Sequence, residues 1–138
     1  MNISIINTRL GPNTAQLFKF KLEMSNYNKA HDIVYIGADR GDRQVFSSLR
    51  ALEYKVEGHP LSGGDLDDIY NTITLHPPVK VSDRNQNLID NADVIIAMPA
   101  LINEFEDSPM WKTIRLAAKE KKKLLIISPA GWTYEIKN

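Results

Sequence analysis

The 138-residue chain contains no cysteine, which excludes disulfide bonds and zinc sites with thiolate ligands. It also lacks an excess of charge of either sign, because its 17 lysines and arginines offset 17 aspartates and glutamates. A uniform positive field for binding duplex nucleic acid is therefore absent. No apolar run approaches the roughly 20 residues that span a bilayer, and no basic leader precedes the first apolar residues. We expect a cytoplasmic protein that binds neither duplex nucleic acid nor a membrane.

Short apolar runs alternate along the chain with segments whose apolar residues recur at helical spacing. The runs are rich in β-branched residues, which is typical of buried parallel strands. They predict strands at Ile3–Ile6, Ile33–Ile36, Tyr54–Glu57, Val94–Met98 and Leu124–Ile127. The helical segments predict a helix after a cap at Thr14, one with Val45, Phe46, Leu49 and Leu52 on one face, a short one at Asp65–Ile73, one from Arg84 to Asn91 with Ser82 or Asp83 as cap, and one between the last two strands.

This alternation predicts an α/β fold: a three-layer, Rossmann-like sandwich with about five mostly parallel strands. Pro77 and Pro78 argue against a central strand between Thr74 and Val81, so we expect an extended excursion there. No repeat or linker interrupts the pattern. We therefore expect a single domain over residues 1–138.

The loops that leave the predicted strands differ in chemistry from the loops that enter them. Those that leave hold five of the seven glycines together with Arg9, Arg40 and His59, at Asn7–Arg9, Gly37–Asp42, His59–Gly64, Pro99–Ser108 and Pro129–Trp132. Those that enter are plain polar links such as Lys29–Asp32 and Lys121–Lys123. In open parallel sheets, ligands bind in the crevice outside the carboxyl ends of the strands. The sequence therefore predicts a ligand site at that edge.

Four segments occur in an order that resembles a known family. Gly37-Ala-Asp-Arg-Gly-Asp follows the second predicted strand, and Val56-Glu-Gly-His-Pro forms the next strand and turn. Arg84-Asn85 leads through a helix into Val94–Pro99, and Ser108-Pro-Met-Trp begins the following helix. Together they resemble the SLOG superfamily, the Rossmann-like group of the LOG cytokinin-activating phosphoribohydrolases and the DNA-processing protein DprA. The resemblance is to small, single-domain members of the kind found in phages, and it implies a nucleotide ligand.

Two departures from the family pattern bear on phosphate binding and on hydrolysis. Small relatives carry Ser-Gly-Thr at the phosphate-binding helix start, where this chain has Pro109 and Met110 after Ser108. The proline removes a backbone N–H and the methionine removes a hydroxyl, so we expect phosphate capture there to be weaker. The Pro-Gly-Gly-x-Gly-Thr signature of active phosphoribohydrolases is absent, although Glu104 and Glu106 lie in the same loop. Glu106 is the candidate for general acid or base work.

The loop positions and the resemblance together give a set of candidate ligand-binding residues. They are Thr8, Arg9, Gly37, Asp39, Arg40, Gly41, Asp42, His59, Arg84, Asn85, Pro99 and Ser108. Gly37 and Gly41 let a ligand approach the backbone, and the three arginines can each pair with a phosphate. A solvated surface role remains the alternative for Arg9 and Arg40, and Asp83 is an alternative partner for Arg84.

Other side chains have ordinary structural alternatives beside their functional ones. Asp42 can accept a ribose hydroxyl or cap the following helix, and His59 can bind a base or phosphate or stabilise its turn. His31 and His76 have no acidic or histidine neighbours at ligand spacing, and Asp65, Asp67 and Asp68 lack the glycine and glutamate of a calcium loop. We expect no metal and no cofactor.

The leading functional prediction is a protein that binds a nucleotide or nucleotide-derived signalling molecule, and sequestration of a host defence signal is a specific version of this prediction. The alternative enzyme is a nucleoside-monophosphate N-glycosidase with Glu106 as its carboxylate. A third class is a protein-interaction module that uses the same surface without a small ligand. We also expect a homodimer or higher homo-oligomer, with Met110, Trp111 and Trp132 as apolar interface candidates, although Trp111 and Trp132 can instead stack on a purine.

Overall fold

The protein folds around one mixed sheet, here taken from a computed structural model that describes residues 1–64, 66–101 and 108–136. The described strands are β1 (Asn2–Asn7), β2 (Ile33–Ile36), β3 (Lys55–Gly58), β4 (Thr74–Leu75), β5 (Val94–Met98), β6 (Lys123–Ile127) and β7 (Thr133–Ile136). The described helices are α1 (Thr14–Met24), α2 (Arg43–Ala51), α3 (Val81–Asp90) and α4 (Pro109–Lys119). Short 3-10 segments lie at Arg40–Asp42 and Asp68–Thr72.

The strand order is β4-β3-β2-β1-β5-β6-β7, and every neighbouring pair is parallel except β6 and β7. This confirms the predicted α/β, Rossmann-like architecture with a mostly parallel sheet. The described sheet has seven strands rather than about five, and both additions are edge strands. Two-residue β4 falls within the predicted excursion, and the adjacent Pro77 and Pro78 are compatible with an edge because no further strand needs their missing N–H groups.

Strands in the middle of the sheet are buried on both faces. Along β5, Val94, Ile96 and Met98 pack with α1 and α2, whereas Ile95 and Ala97 pack with α3 and α4. Successive side chains of a strand point to opposite faces, so a strand covered on both sides must be apolar throughout. This is the physical reason why β5 reads as an unbroken apolar run.

Two helix starts differ from the predictions. α1 is capped by Asn13 rather than Thr14: the Asn13 side chain accepts the Gln16 N–H at 2.8 Å, and the Gln16 side chain accepts the Asn13 N–H at 3.1 Å. α3 begins at Val81 with Lys80 as its N-cap residue, three residues before the predicted start at Arg84. Lys80 makes no side-chain capping bond, so the sequence carries no cap signal there.

The chain changes direction between β1 and β5, the two central strands. From β1 it passes to β2, β3 and β4 on one side, and it then returns to β5 on the other side of β1. The loops that follow β1 and β5 therefore diverge and leave a crevice between them. In the described part of the chain, no helix is long and apolar enough to cross a membrane.

Candidate functional site

The loops after β1 and β2 pack directly against each other at the carboxyl edge of the sheet. The Asn7 Nδ2 donates to the Gly41 carbonyl at 2.8 Å. A Cβ at Gly41 would overlap the Thr8 carbonyl oxygen and lie 2.8 Å from the Arg9 carbonyl oxygen. Glycine is therefore required at position 41 by the neighbouring backbone of the protein itself.

Arg84 is buried at the same edge, although charged side chains are seldom buried without partners. Its Nη1 donates to the Gly37 carbonyl at 3.1 Å and to Asp39 Oδ2 at 2.9 Å, and its Nε donates to Asn85 Oδ1 at 2.8 Å. A Cβ at Gly37 would lie 2.6 Å from the Arg84 Nη1, so this glycine makes room for the guanidinium. Arg84 ties the first turn of α3 to the loop after β2, and its partner is Asp39 rather than the predicted alternative Asp83.

Asp42 is the second buried charge-bearing group of this cluster. Its Oδ2 accepts the Asp39 N–H at 3.0 Å, and its side chain makes no capping bond to α2. Burial raises the pKa of Asp42 to about 7, because desolvation outweighs the hydrogen bond from Asp39 and the attraction of Arg84. The predicted role as a cap of α2 is therefore corrected: the carboxyl closes the short 3-10 turn that precedes that helix.

Arg9 and Arg40 are exposed on the two loops that touch. Neither forms an ion pair or side-chain hydrogen bond with another residue in the described ranges. Thr8, between Arg9 and the end of β1, is half-buried, and its hydroxyl donates to the Gly11 carbonyl at 3.3 Å. The two guanidinium groups are thus the cations of this edge that remain available to an external anion.

Two helices begin at the crevice, and side chains fix both of their starts. The Gln16 Nε2 donates to the carbonyls of Pro99 at 2.7 Å and Ile127 at 3.0 Å, which joins α1 to the ends of β5 and β6. At α4 the Ser108 hydroxyl accepts the Trp111 N–H at 3.2 Å, and Pro109 occupies the first helical position. Neither helix has an acidic residue in its first turn.

His59 follows β3 and is buried, and its Nε2 has no hydrogen-bond partner among the described residues. Its ring stacks on His76 with centroids 4.1 Å apart, and the His76 Nε2 lies 2.8 Å from Glu57 Oε1. Desolvation and the neighbouring His76 lower the pKa of His59 to about 4, so its imidazole is neutral near pH 7. The prediction that His76 has no acidic or histidine neighbour is wrong, because the pairing of β4 with β3 brings Glu57 and His59 beside it.

Two tryptophans that were interface or stacking candidates lie in different environments. Trp111 is 1% exposed and its Nε1 donates to the Leu101 carbonyl at 3.0 Å, so it belongs to the core and cannot form an interface. Trp132 is 52% exposed and its ring contacts Tyr134. Glu104, Glu106 and Asp65 lie outside the described residues.

Among the described residues, no group of three or more His, Asp or Glu side chains is arranged so that it could hold a metal ion. A shallow depression of about 650 Å³ lies away from this edge, between the carboxyl-terminal ends of α1 and α2. Its lining includes Met24, Tyr27, Leu52 and Tyr54. We place the candidate site at the carboxyl edge instead, because the chain reversal and the available cations occur there.

The chain matches no protein-family model and no curated protein. A solved structure that it does match is the X-ray structure of TM1055, a structural-genomics target, with a TM-score of 0.61. The match covers 89% of this chain and 71% of that chain, at 14% sequence identity. A likeness at this identity shows the fold alone, and it supports the Rossmann-like part of the resemblance seen in the sequence.

Proposed function

We propose that the protein binds a nucleotide or a nucleotide-derived signalling molecule in the crevice between the loops after β1 and β5. The observation that carries this proposal is the reversal of strand order at those two strands. In open α/β sheets the crevice at such a point is the usual ligand site. The Rossmann-like fold supports the proposal by analogy, and the chemistry of the loops supports it independently.

The anionic part of the ligand binds to Arg9 and Arg40 in this proposal. Both guanidinium groups are exposed, and their loops are in contact. Arginine binds phosphate through paired N–H groups in a fixed fork. The positive ends of α1 and α4 add to this field, since neither first turn carries a carboxylate. Arg84, whose Nη1 and Nε are already engaged, acts as a positioning residue for the loop after β2.

Binding without turnover is the form of this proposal that the described residues support best. The Ser108 hydroxyl serves as a helix cap, and Pro109 offers no N–H to a phosphate. No carboxylate of the described residues is placed at the start of α4, where the related hydrolases carry their signature. Sequestration of a defence signal is a specific version of the proposal, and it follows from the sequence resemblance.

The test is thermal-shift screening against mono- and diphosphates, ADP-ribose and its cyclic forms, and cyclic di- and trinucleotides, with recovered ligand identified by mass spectrometry. We expect one ligand class to raise the melting temperature by several degrees and to be recovered intact. Release of free base would instead establish a glycosidase. The absence of any shift across the panel contradicts the proposal and favours the protein-interaction module.

Variants then locate the site of any ligand that is found. R9A and R40A should each weaken binding, because each removes an exposed cation from the two loops that touch at the carboxyl edge. R50A is the matched control: it removes the same group from the last turn of α2, where the guanidinium lies 5.5 Å from the Phe46 ring. Equal weakening by all three variants would indicate a general charge effect and would remove the assignment of the anion to the crevice.

A further inference from the structure

The loops around the crevice present large apolar side chains to solvent. Leu10 in the loop after β1 is 95% exposed, Leu101 in the loop after β5 is 54% exposed, and Trp132 in the turn after β6 is 52% exposed. The three loops leave neighbouring strands of the sheet. Single exposed apolar residues are common on protein surfaces, whereas several at one edge are typical of a binding surface.

The turn after β6 is fixed against the loop after β1 and the start of α1. The Asn13 Nδ2 donates to the Pro129 carbonyl at 2.8 Å. A Cβ at Gly131 would lie 3.1 Å from the Ala15 Cβ, so the turn packs closely on the first turn of α1. Trp132 is the next residue along the chain. Its backbone is therefore held beside the helix start that borders the crevice.

The carboxamide side chains around the crevice are already bound to the protein itself at both ends. The Asn7 amide donates to the Gly41 carbonyl and accepts the Thr8 N–H. The Asn13 amide donates to the turn after β6 and accepts the Gln16 N–H. The Gln16 amide donates to two carbonyls and accepts the Asn13 N–H. Carboxamides distinguish one base from another through paired hydrogen bonds to its edge, so these three described side chains are not free to do so.

We propose that the crevice recognises the size of a nucleotide's base rather than the hydrogen-bonding groups on the edge of that base. This inference rests on the proposed function, and it names the class of nucleotide that the site prefers. Leu10, Leu101 and Trp132 supply the apolar surface against which the planar ring packs. Every base has such a face, so this contact tolerates a change of base and strengthens with ring area. The preferred class is therefore purine nucleotides, with adenine and guanine bound alike.

Calorimetric titration of the full chain with five monophosphates tests this inference. AMP, GMP, CMP, UMP and ribose 5-phosphate share the phosphate and the sugar and differ in the base. AMP and GMP should bind with affinities within about threefold of each other, and both should bind more tightly than CMP and UMP. Ribose 5-phosphate should bind at least roughly fivefold more weakly than AMP, because it lacks the ring that stacks.

The possible failures of this titration differ in meaning. A preference of about tenfold or more between AMP and GMP overturns the inference, because the two bases have similar area and differ at their edges. Ribose 5-phosphate that binds as tightly as AMP also overturns it, although anion binding at the crevice then stands. Failure of all five probes to bind overturns it as well, whereas the proposed function is still decided by the thermal-shift panel.

Variants test whether the exposed apolar side chains make the contact. W132A should weaken AMP binding and leave ribose 5-phosphate binding unchanged, because it removes a ring and no charge. W132F should keep most of the affinity for AMP, and R9A should weaken both probes. L22A is the matched control, since Leu22 is 50% exposed near the other end of α1. A ratio of AMP to ribose 5-phosphate affinity that stays at the wild-type value in W132A, L10A and L101A overturns the inference.

Discussion

Replacement of Asp42 by asparagine should make the protein more stable at neutral pH than the wild type. The Asp42 carboxyl is buried beside Asp39 and Arg84, and its Oδ2 accepts the Asp39 N–H. An asparagine Oδ1 can accept the same bond, so D42N keeps the turn at Arg40–Asp42 while removing the ionisation. The variant therefore isolates the free-energy cost of holding a charge at this position.

The size of the effect follows from the pKa of Asp42. Folding raises this pKa from its ordinary value of 3.8 to about 7, and a tenfold change in proton affinity is worth about 1.4 kcal/mol. Ionisation of Asp42 in the folded protein therefore lowers the free energy of unfolding by on the order of 4 kcal/mol. Below pH 3.8 both states hold the proton and the penalty is absent. As the pH rises from 3.8 through about 7, the unfolded state loses its proton first, and wild-type stability falls.

Urea unfolding of both proteins between pH 4 and pH 8.5 measures this cost. The free energy of D42N minus that of the wild type should rise through the interval and level off above about pH 7. The other titratable groups are the same in both proteins, so their contributions to the pH dependence cancel in the difference. D68N is the control, because the Asp68 carboxylate is exposed and stays hydrated in the folded protein. A difference between D42N and wild type that does not change with pH would refute the reasoning about burial.

Three further variants test other parts of the fold by the same unfolding measurement. Because folding lowers the pKa of His59 from 6.5 to about 4, wild-type stability should fall by up to about 3 kcal/mol as the pH drops through that interval, and H59F should abolish this loss. G41A should cost at least about 3 kcal/mol, because its methyl group meets the Thr8 carbonyl, whereas G64A, with a nearest contact of 3.5 Å, should cost little. Q16L should cost about 2 to 3 kcal/mol, because two carbonyls at the crevice lose their donor; a cost near zero would show that other donors replace it.

The central strands were predictable from the sequence, and the edge strands were not. β5 was predicted with its observed bounds, Val94–Met98, because burial on both faces leaves no polar position in the run. β4 has only two residues, too few for any periodic pattern. β7 pairs antiparallel with β6, and none of its four residues is fully buried, so it lacks the apolar run that marks the central strands.

The helix starts show which local signals the sequence contained. Asn13 followed three residues later by Gln16 fits the pattern of a reciprocal cap, so the start of α1 could have been predicted with its correct cap. The start of α3 could not, because Lys80 contributes no side-chain bond to the free N–H groups. Sequence reasoning finds helix starts where a side chain performs the capping, and it misses those where none does.

The location of the candidate site at the carboxyl edge followed from strand alternation, whereas the role of each residue depended on contacts that are distant in the sequence. Arg84 pairs with Asp39, which is 45 residues away, and His76 pairs with Glu57 across β3 and β4. Arg84 was a candidate for binding phosphate because a cation at the start of a helix needs a partner. The structure supplies that partner from the loop after β2.

This pairing changes what loss of Arg84 would mean. A buried guanidinium bound to Asp39 and to the Gly37 carbonyl holds the loop after β2 in place, and this loop carries Arg40 and contacts the loop of Arg9. Removal of Arg84 would therefore disturb both exposed arginines at once, and it would leave Asp39 unpaired beside Asp42. Weaker ligand binding by an Arg84 variant is expected whether or not Arg84 touches the ligand. Replacement of Arg9 or Arg40 leaves the contacts between the two loops intact. These two residues are therefore the decisive positions at which to test anion binding.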